Sequence, residues 1–469
     1  MSRFMNDDSS ARRLADTLRA VVRAAPAGAR LPSSRTLAAE HGVGPVTVAA
    51  ALRLLAAEGL VETRPGEGTF ARRQTAGPGG DTAWQLTAMG PAAVQATALG
   101  ALLHPSRPGT IALSSGYLAP EQQPHHLVSQ ALARAARRPA ALGRVDPTGL
   151  PELRAWFATE AGAQADDVLV CAGTQAALAT IFTSLCRPGD AVVMESPTYL
   201  GALAAAHAAG LTIVPVHRGP DGAPDPLDLD RALQASGARV VYAQPHGANP
   251  TGTSWPARTH RELVAVARRH GCFLVEDDWA HDFVLAGTPR TLAADDPDGT
   301  VLHLRSLTKS TVPALRVAAV VGRGPVVARL AAGRTAADLY VSGVLQHAAL
   351  DVVTGPGWRR HVRAARTTLI ERRDSLAAAV VRHLGAESLA LVPDQGLHLW
   401  VRLPDGTDDV ALAAAAAGAG VDVSAGSPWW VTEPVGPYLR ISYSAATPAE
   451  AAHGVEVLAG LLPDLPGTR

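Results

Sequence analysis

From about residue 165 the chain repeats one pattern: a short apolar run, a stretch with helical spacing, then another apolar run. The runs fall at 167–172, 191–195, 212–216, 239–244, 272–277, 301–306 and 318–321. Several are continuously apolar, as in strands covered on both faces, and their alternation with helices predicts an open α/β sheet. Ligands of such sheets bind beyond the carboxyl ends of the strands. Seven strands with their helices do not use up 469 residues. A length over ~150 residues per domain leads one to expect about three domains.

The other segments are expected as follows. Residues 1–74 form a head, 75–110 a linker, 111–354 the large α/β domain and 355–469 a smaller C-terminal α+β domain. The last begins with a long Arg-rich helix to about residue 384 and continues with strands at 397–403 and 438–442. Residues 83–110 are poorly patterned, and the Ala-rich tracts at 202–209 and 411–417 suit helices.

Charge separates the head from the body. Basic and acidic residues number 42 each, which excludes a uniformly basic coat for nucleic acid. Residues 1–75 nevertheless hold 11 Arg against 7 acidic residues, leaving 31 basic against 35 acidic in the rest. A small nucleic-acid module on a larger metabolic body fits that asymmetry. Three cysteines (Cys171, Cys186, Cys272) without CxxC spacing exclude a disulfide framework and a thiolate zinc site. With no apolar run of about 18 residues and no secretory leader, a cytosolic location is expected.

Of the 42 basic residues, Lys309 is the only lysine. A primary amine can lose its proton and form a Schiff base with a carbonyl, which a guanidinium cannot do.

In the head, Leu14, Leu18, Val21 and Val22 mark an amphipathic helix. Ser33 or Ser34 caps a second helix to about Glu40, and 41–44 is a tight turn. Pro45 opens a third helix that ends at Gly59. Two short strands near 60–63 and 68–71 follow, joined at Arg64-Pro65-Gly66-Glu67. This order describes a winged helix-turn-helix with the Pro45 helix in a major groove. Ser33, Arg35, Thr47, Arg53, Arg64, Gly66, Arg72 and Arg73 are the candidate DNA contacts. The stretch resembles the GntR-type winged-helix family through Leu31-Pro32-Ser33-Ser34-Arg35, Thr47-Val48, Ala51-Leu52, Glu58-Gly59-Leu60 and Gly66-Glu67-Gly68-Thr69-Phe70. It departs at Gly44-Pro45-Val46, where that family often has Ser-Arg.

The strand ends carry the chemistry. Gly173-Thr174-Gln175 opens a helix and exposes backbone N–H groups to an anion. Tyr199 could stack on a flat ring, and Asn249, before Pro250, could project its amide into a site. Glu276-Asp277-Asp278 places three carboxylates at a strand end, at least one of which must meet a cation or protonated heterocycle. Ser306-Leu307-Thr308-Lys309-Ser310, with Arg316 close behind, suits an aldehyde-phosphate ligand. His125-His126 lacks a carboxylate at ligand spacing, so no metal site is expected. Asp295-Asp296 and Asp408-Asp409 read as solvated loop charges, and Trp429-Trp430 as packing or the wall of an effector pocket near Arg440.

In this order the motifs resemble the fold-type I pyridoxal-phosphate aminotransferases over roughly residues 110–460. The resemblance implies pyridoxal 5'-phosphate bound covalently by Lys309, with Asp277 on the pyridine nitrogen and Asn249 on the ring hydroxyl. It implies Tyr199 on the ring face, and Gly173, Thr174, Gln175, Ser306 and Arg316 around the phosphate. Arg440 would bind a substrate or effector carboxylate. Trp279 stands near where a Tyr is usual; its indole can donate one hydrogen bond to the ring oxygen. Arg144-Val145-Asp146-Pro147 stands where the family commonly has Tyr-Gly-Asp-Pro.

A GntR-like head on an aminotransferase-like body is similar to the MocR regulators. The implied protein is a homodimeric, DNA-binding transcriptional regulator whose body senses pyridoxal phosphate or an amino compound. The competing readings are a working aminotransferase with a vestigial head and a cofactor-free dimerisation scaffold.

Overall fold

The computed structural model describes residues 11–462, apart from 12, 13, 20, 23, 24, 26, 27, 65–67, 72–81, 83, 90–98, 101, 102, 104–106 and 289. The chain divides into two compact units, Met1–Ala92 and Ala93–Arg469.

In the first unit, helix α1 (Ser34–His41) starts at Ser33, whose hydroxyl accepts from the Thr36 N–H at 3.1 Å. It ends at Gly42 in the left-handed region, at φ 60°. Helix α2 (Pro45–Ala57) has proline in its first turn, where no N–H is needed. Val48, Ala51, Leu52 and Leu55 recur at i, i+3, i+4 and i+7 and are buried. They pack with Leu14, Leu18, Leu37 and Val61 into one small core. Strands β1 (Val61–Arg64) and β2 (Gly68–Ala71) pair antiparallel as the wing. Sequence and structure agree on these elements. The poorly patterned stretch from 83 holds a short helix, Trp84–Met89, and Gly66, Arg72 and Arg73 lie outside the described residues.

The second unit is built on seven strands: β3 (Val168–Cys171), β4 (Ala191–Ser196), β5 (Thr212–His217), β6 (Val240–Ala243), β7 (Phe273–Asp277), β8 (Val301–Ser306) and β9 (Ala318–Val321). Their order is β3-β9-β8-β7-β6-β4-β5, with β9 antiparallel to both its neighbours and the other pairs parallel. Along β3, Leu169 and Cys171 enter one core while Val168 and Val170 enter another, so the strand is apolar at every position. Helix α3 (Thr174–Leu185) follows β3 directly. All three cysteines are free and buried.

The C-terminal part packs helix α4 (Trp358–Leu384) and helix α5 (Pro448–Leu461) over strands β10 (His398–Arg402), β11 (Ser424–Ala425) and β12 (Tyr438–Ser442). Leu113 and Leu118 belong to this core, and Ile111–Ala112 pairs in parallel with Val421–Asp422. The C-terminal subdomain thus takes chain from both sides of the large sheet.

Two of the aspartate pairs are not simply solvated. Asp296 is buried and accepts from the Val301 N–H at 2.7 Å, while Asp295 pairs with Arg290. Asp408 caps its helix through the N–H groups of Val410 and Ala411. Asp409 is buried and accepts from the N–H groups of Gly426 and Ser427 and from the Ser427 hydroxyl. For Asp409 the reason is backbone donors 17 and 18 residues away, which sequence neighbours do not reveal.

Candidate functional sites

The carboxyl ends of β4, β6, β7 and β8 and the start of α3 open on one cleft of about 80 Å³. Thr174, Gln175, Tyr199, Asn249, Asp277, Trp279, Ser306, Lys309 and Arg316 all line it. Tyr117, Gln244 and Thr308 line it as well, and the sequence reading missed them. Thr308 sits between two residues singled out, and Gln244 directly follows β6; Tyr117 has no local signal.

Three adjacent carboxylates have three different fates. Glu276 accepts from the N–H groups of Leu292 and Ala293 at 2.8 and 3.1 Å. Asp278 lies 2.6 Å from His281 Nδ1 and 3.0 Å from His303 Nε2. Asp277 has only neutral donors: the Tyr242 hydroxyl at 2.7 Å and the Gln244 amide at 2.9 Å, both to Oδ2. Its Oδ1 is buried without a hydrogen-bond partner among the described residues. Burial pushes its pKa up to about 6, although both hydrogen bonds pull it down. Asp277 is therefore the carboxylate with an open place for a cationic N–H.

Gln244 ties this carboxylate to the rest of the cleft. Its Oε1 accepts from the Asn249 N–H at 2.8 Å, and Asn249 Oδ1 accepts from Arg440 Nη1 at 3.3 Å. Arg440, on β12, is buried, donates to the Ser114 carbonyl and lies with its Cζ 4.8 Å from the centre of the Trp429 ring. Its Nε has no partner among the described residues. Trp429 is a fully buried packing residue beneath Arg440.

Lys309 Nζ donates to the Gly116 carbonyl at 2.7 Å and sits 3.8 Å from the centre of the Tyr117 ring. Burial, then Arg440 and Arg316, push the amine down to about 7, against the pull of Asp277. A partly buried lysine whose charge two guanidiniums oppose is an available nucleophile near neutral pH.

At the other end of the cleft, Gly173 precedes α3 at φ 87°. A Cβ there would lie 2.5 Å from Arg316 Nη2, so the arginine can lie across the helix start only because this residue is glycine. Gly173→Ala should therefore displace Arg316 and strain the backbone. A cofactor affinity loss of about tenfold is expected, read from titration of the bound cofactor's absorbance. Unchanged affinity would remove Arg316 from the anion site.

Trp279 departs from its expected role. Its N–H donates to the Gly247 carbonyl at 3.0 Å and its ring stacks on His398 at 5.3 Å, so it walls the cleft and has no donor to spare. Arg144 is exposed.

On the head, Arg35 and Arg53 are exposed, whereas Arg64 pairs with Glu62 and lies over Phe70. Ser33 caps α1. Thr47, expected to face DNA, is only 6% exposed because it falls on the packed side of α2. The side of α2 open to a groove offers Pro45, Val46, Ala49 and Arg53, with Val46 70% exposed.

A strand-end cleft with a lone amine and an open carboxylate, in a chain that also carries a winged head, defines a ligand-binding α/β body joined to a DNA-binding module. Residues 109–458 match the aminotransferase class I and II family, and residues 11–71 match the gntR family of bacterial regulatory proteins. The chain belongs to the aminotransferase class I and II family and carries a GntR helix-turn-helix domain ahead of it. It is 28% identical to the probable rhizopine catabolism regulatory protein MocR of Rhizobium meliloti, over 95% of this chain and 92% of that protein. It is also 28% identical to the vitamin B6 salvage pathway transcriptional repressor PtsJ of Salmonella typhimurium, over 95% and 97%. Among solved structures it is similar to LysN, the alpha-aminoadipate aminotransferase of Thermus thermophilus, in complex with N-(5'-phosphopyridoxyl)-L-leucine. The TM-score is 0.73 at 27% identity, covering 79% of this chain and 95% of that one. No helix among the described residues is long and apolar enough to cross a membrane.

Proposed function

We propose that this protein is a MocR-type transcriptional regulator that binds operator DNA through its head and pyridoxal phosphate through its body, and works as a homodimer. The observation that carries the cofactor assignment is the buried Oδ1 of Asp277, without a partner among the described residues, in the same cleft as the lone lysine. Pyridoxal phosphate, when bound, supplies an aldehyde that captures an amine and a ring that draws electrons from it. Lys309 offers the amine. Asp277 Oδ1 would accept the pyridinium N–H and keep that nitrogen protonated. Asn249 would meet the ring hydroxyl and Tyr199 the ring face. The start of α3 at Gly173, Thr174 and Gln175, with Ser306 and Arg316, would hold the phosphate. Arg440 would pair with the carboxylate of an amino-compound effector. The hydrogen bonds from Asp277 through Gln244 and Asn249 to Arg440 give cofactor and effector a shared frame.

Because Lys309 is held near 7, its free-base fraction rises from about 10% at pH 6 to about 90% at pH 8. Cofactor capture by the apoprotein should accelerate about tenfold over that interval and level off above it, measured by stopped-flow absorbance. A rate still climbing at pH 10 would place the amine at its ordinary value.

The deciding experiment is fluorescence anisotropy of a labelled fragment of the gene's own upstream region, with and without pyridoxal phosphate. Binding that changes with cofactor supports the regulator. Arg35→Ala should weaken it for every sequence and lower the slope of log affinity against log salt by about one. No binding in either state, with turnover of an amino donor and a 2-oxo acid, would make the body a working aminotransferase.

A further inference from the structure

A second cavity, of about 190 Å³, opens beside the strand end that carries Asp277, lined in part by His246, Asp278, His281, Arg366 and Gln395. Two of its lining side chains, Asp278 just after β7 and His281 in the turn that follows, converge with a third ligand-type side chain behind the wall, the buried His303 on β8. Asp278 Oδ2 lies 2.6 Å from His281 Nδ1 and 3.0 Å from His303 Nε2, and all three ligand atoms fall within 4.8 Å of one another. None of these groups is used by the cofactor cleft or the head.

Hydrogen bonding alone is a poor account of the arrangement. One carboxylate oxygen serves two imidazoles, and the second ring nitrogen of the buried His303 has no partner among the described residues. Two imidazoles and a carboxylate are a donor set for a borderline divalent cation such as zinc. Zinc binds imidazole nitrogen at ~2.0–2.1 Å and carboxylate oxygen at ~2.0–2.2 Å. Tetrahedral bonds of that length put neighbouring donors ~3.3 Å apart, so the two imidazoles, now 2.6 and 3.0 Å from the carboxylate oxygen, need to draw back from it by a few tenths of an ångström to admit the ion. Asp278 and His281 both line the cavity, which leaves room for a fourth ligand.

We infer that Asp278, His281 and His303 form a binding site for a divalent cation of the zinc class, with one coordination position open to this cavity. The cation is held through two neutral imidazoles and one carboxylate. Each imidazole gives up its proton contact with Asp278 as the metal enters, so binding releases a proton wherever an imidazole was charged.

The test uses the untagged full-length protein loaded with pyridoxal phosphate, stripped with chelator and dialysed against Zn²⁺ alone. Metal content is measured by mass spectrometry and affinity by calorimetry. One zinc per chain is expected. His281→Ala should weaken it more than about 100-fold while the cofactor band stays put, because that side chain is 26% exposed and lies outside the cofactor cleft. Asp278→Asn should lose the metal as well. Co²⁺ in place of Zn²⁺ should give ligand-field bands that vanish in His281→Ala. No bound metal in the parent protein would overturn the site. So would metal retained in both variants, or metal lost instead in a His125→Ala, His126→Ala double variant.

Discussion

Lys309→Ala is expected to abolish the visible absorbance of bound pyridoxal phosphate while the protein stays folded. The chain has 41 arginines and this one lysine, so no neighbouring lysine can replace it. The amine sits against the Gly116 carbonyl and the Tyr117 ring, beside Arg440 and Arg316, where burial disfavours its charge. Its removal takes away a partly buried amine whose charge is disfavoured and no packing contact of the main cores, so the melting temperature should move by no more than ~3 °C. Lys309→Arg should lose the band equally, because a guanidinium keeps the charge but does not form the covalent link. Absorbance after gel filtration reads both variants. A band that survives in either would refute Lys309 as the point of attachment.

Leu55→Asp should abolish DNA binding and leave the cofactor band unchanged. Leu55 is fully buried in the small core that joins α2 to the wing and the first helix. Loss of its apolar contacts together with burial of an unpaired carboxylate costs at least ~4 kcal/mol. A domain of this size holds only ~3–9 kcal/mol in all, so the head should be largely unfolded. Anisotropy should show affinity falling more than about 100-fold. The body has its own cores, none of which contains Leu55, so the band should persist. Affinity within threefold of the parent would mean that DNA is not bound by the head.

The α/β body and the winged head were legible because their signals are local. Continuous apolar runs such as 301–306 and 318–321 became strands with those same limits, β8 and β9. Pro45 and Gly59 bracketed α2 because one lacks an N–H and the other tolerates positive φ. The site was legible as residue types at strand ends, and nine of the positions named line one cleft. The failures share a cause. Thr47, the Trp279 N–H and Asp409 were each misread because what each one faces is remote in sequence or turned inward by helix phase.

By itself the sequence determined the two-part organisation, the order of the elements and the lysine on which the cofactor assignment turns, because periodicity, caps and composition act over a few residues. It left Glu276, Asp277 and Asp278 as three equivalent carboxylates. Tertiary structure told them apart: backbone N–H groups answer Glu276, histidines answer Asp278, and of the three only Asp277 keeps a fully buried oxygen without a partner among the described residues. The physical reason is that a carboxylate's behaviour follows its burial and its partners, and here the partners lie up to 35 residues away.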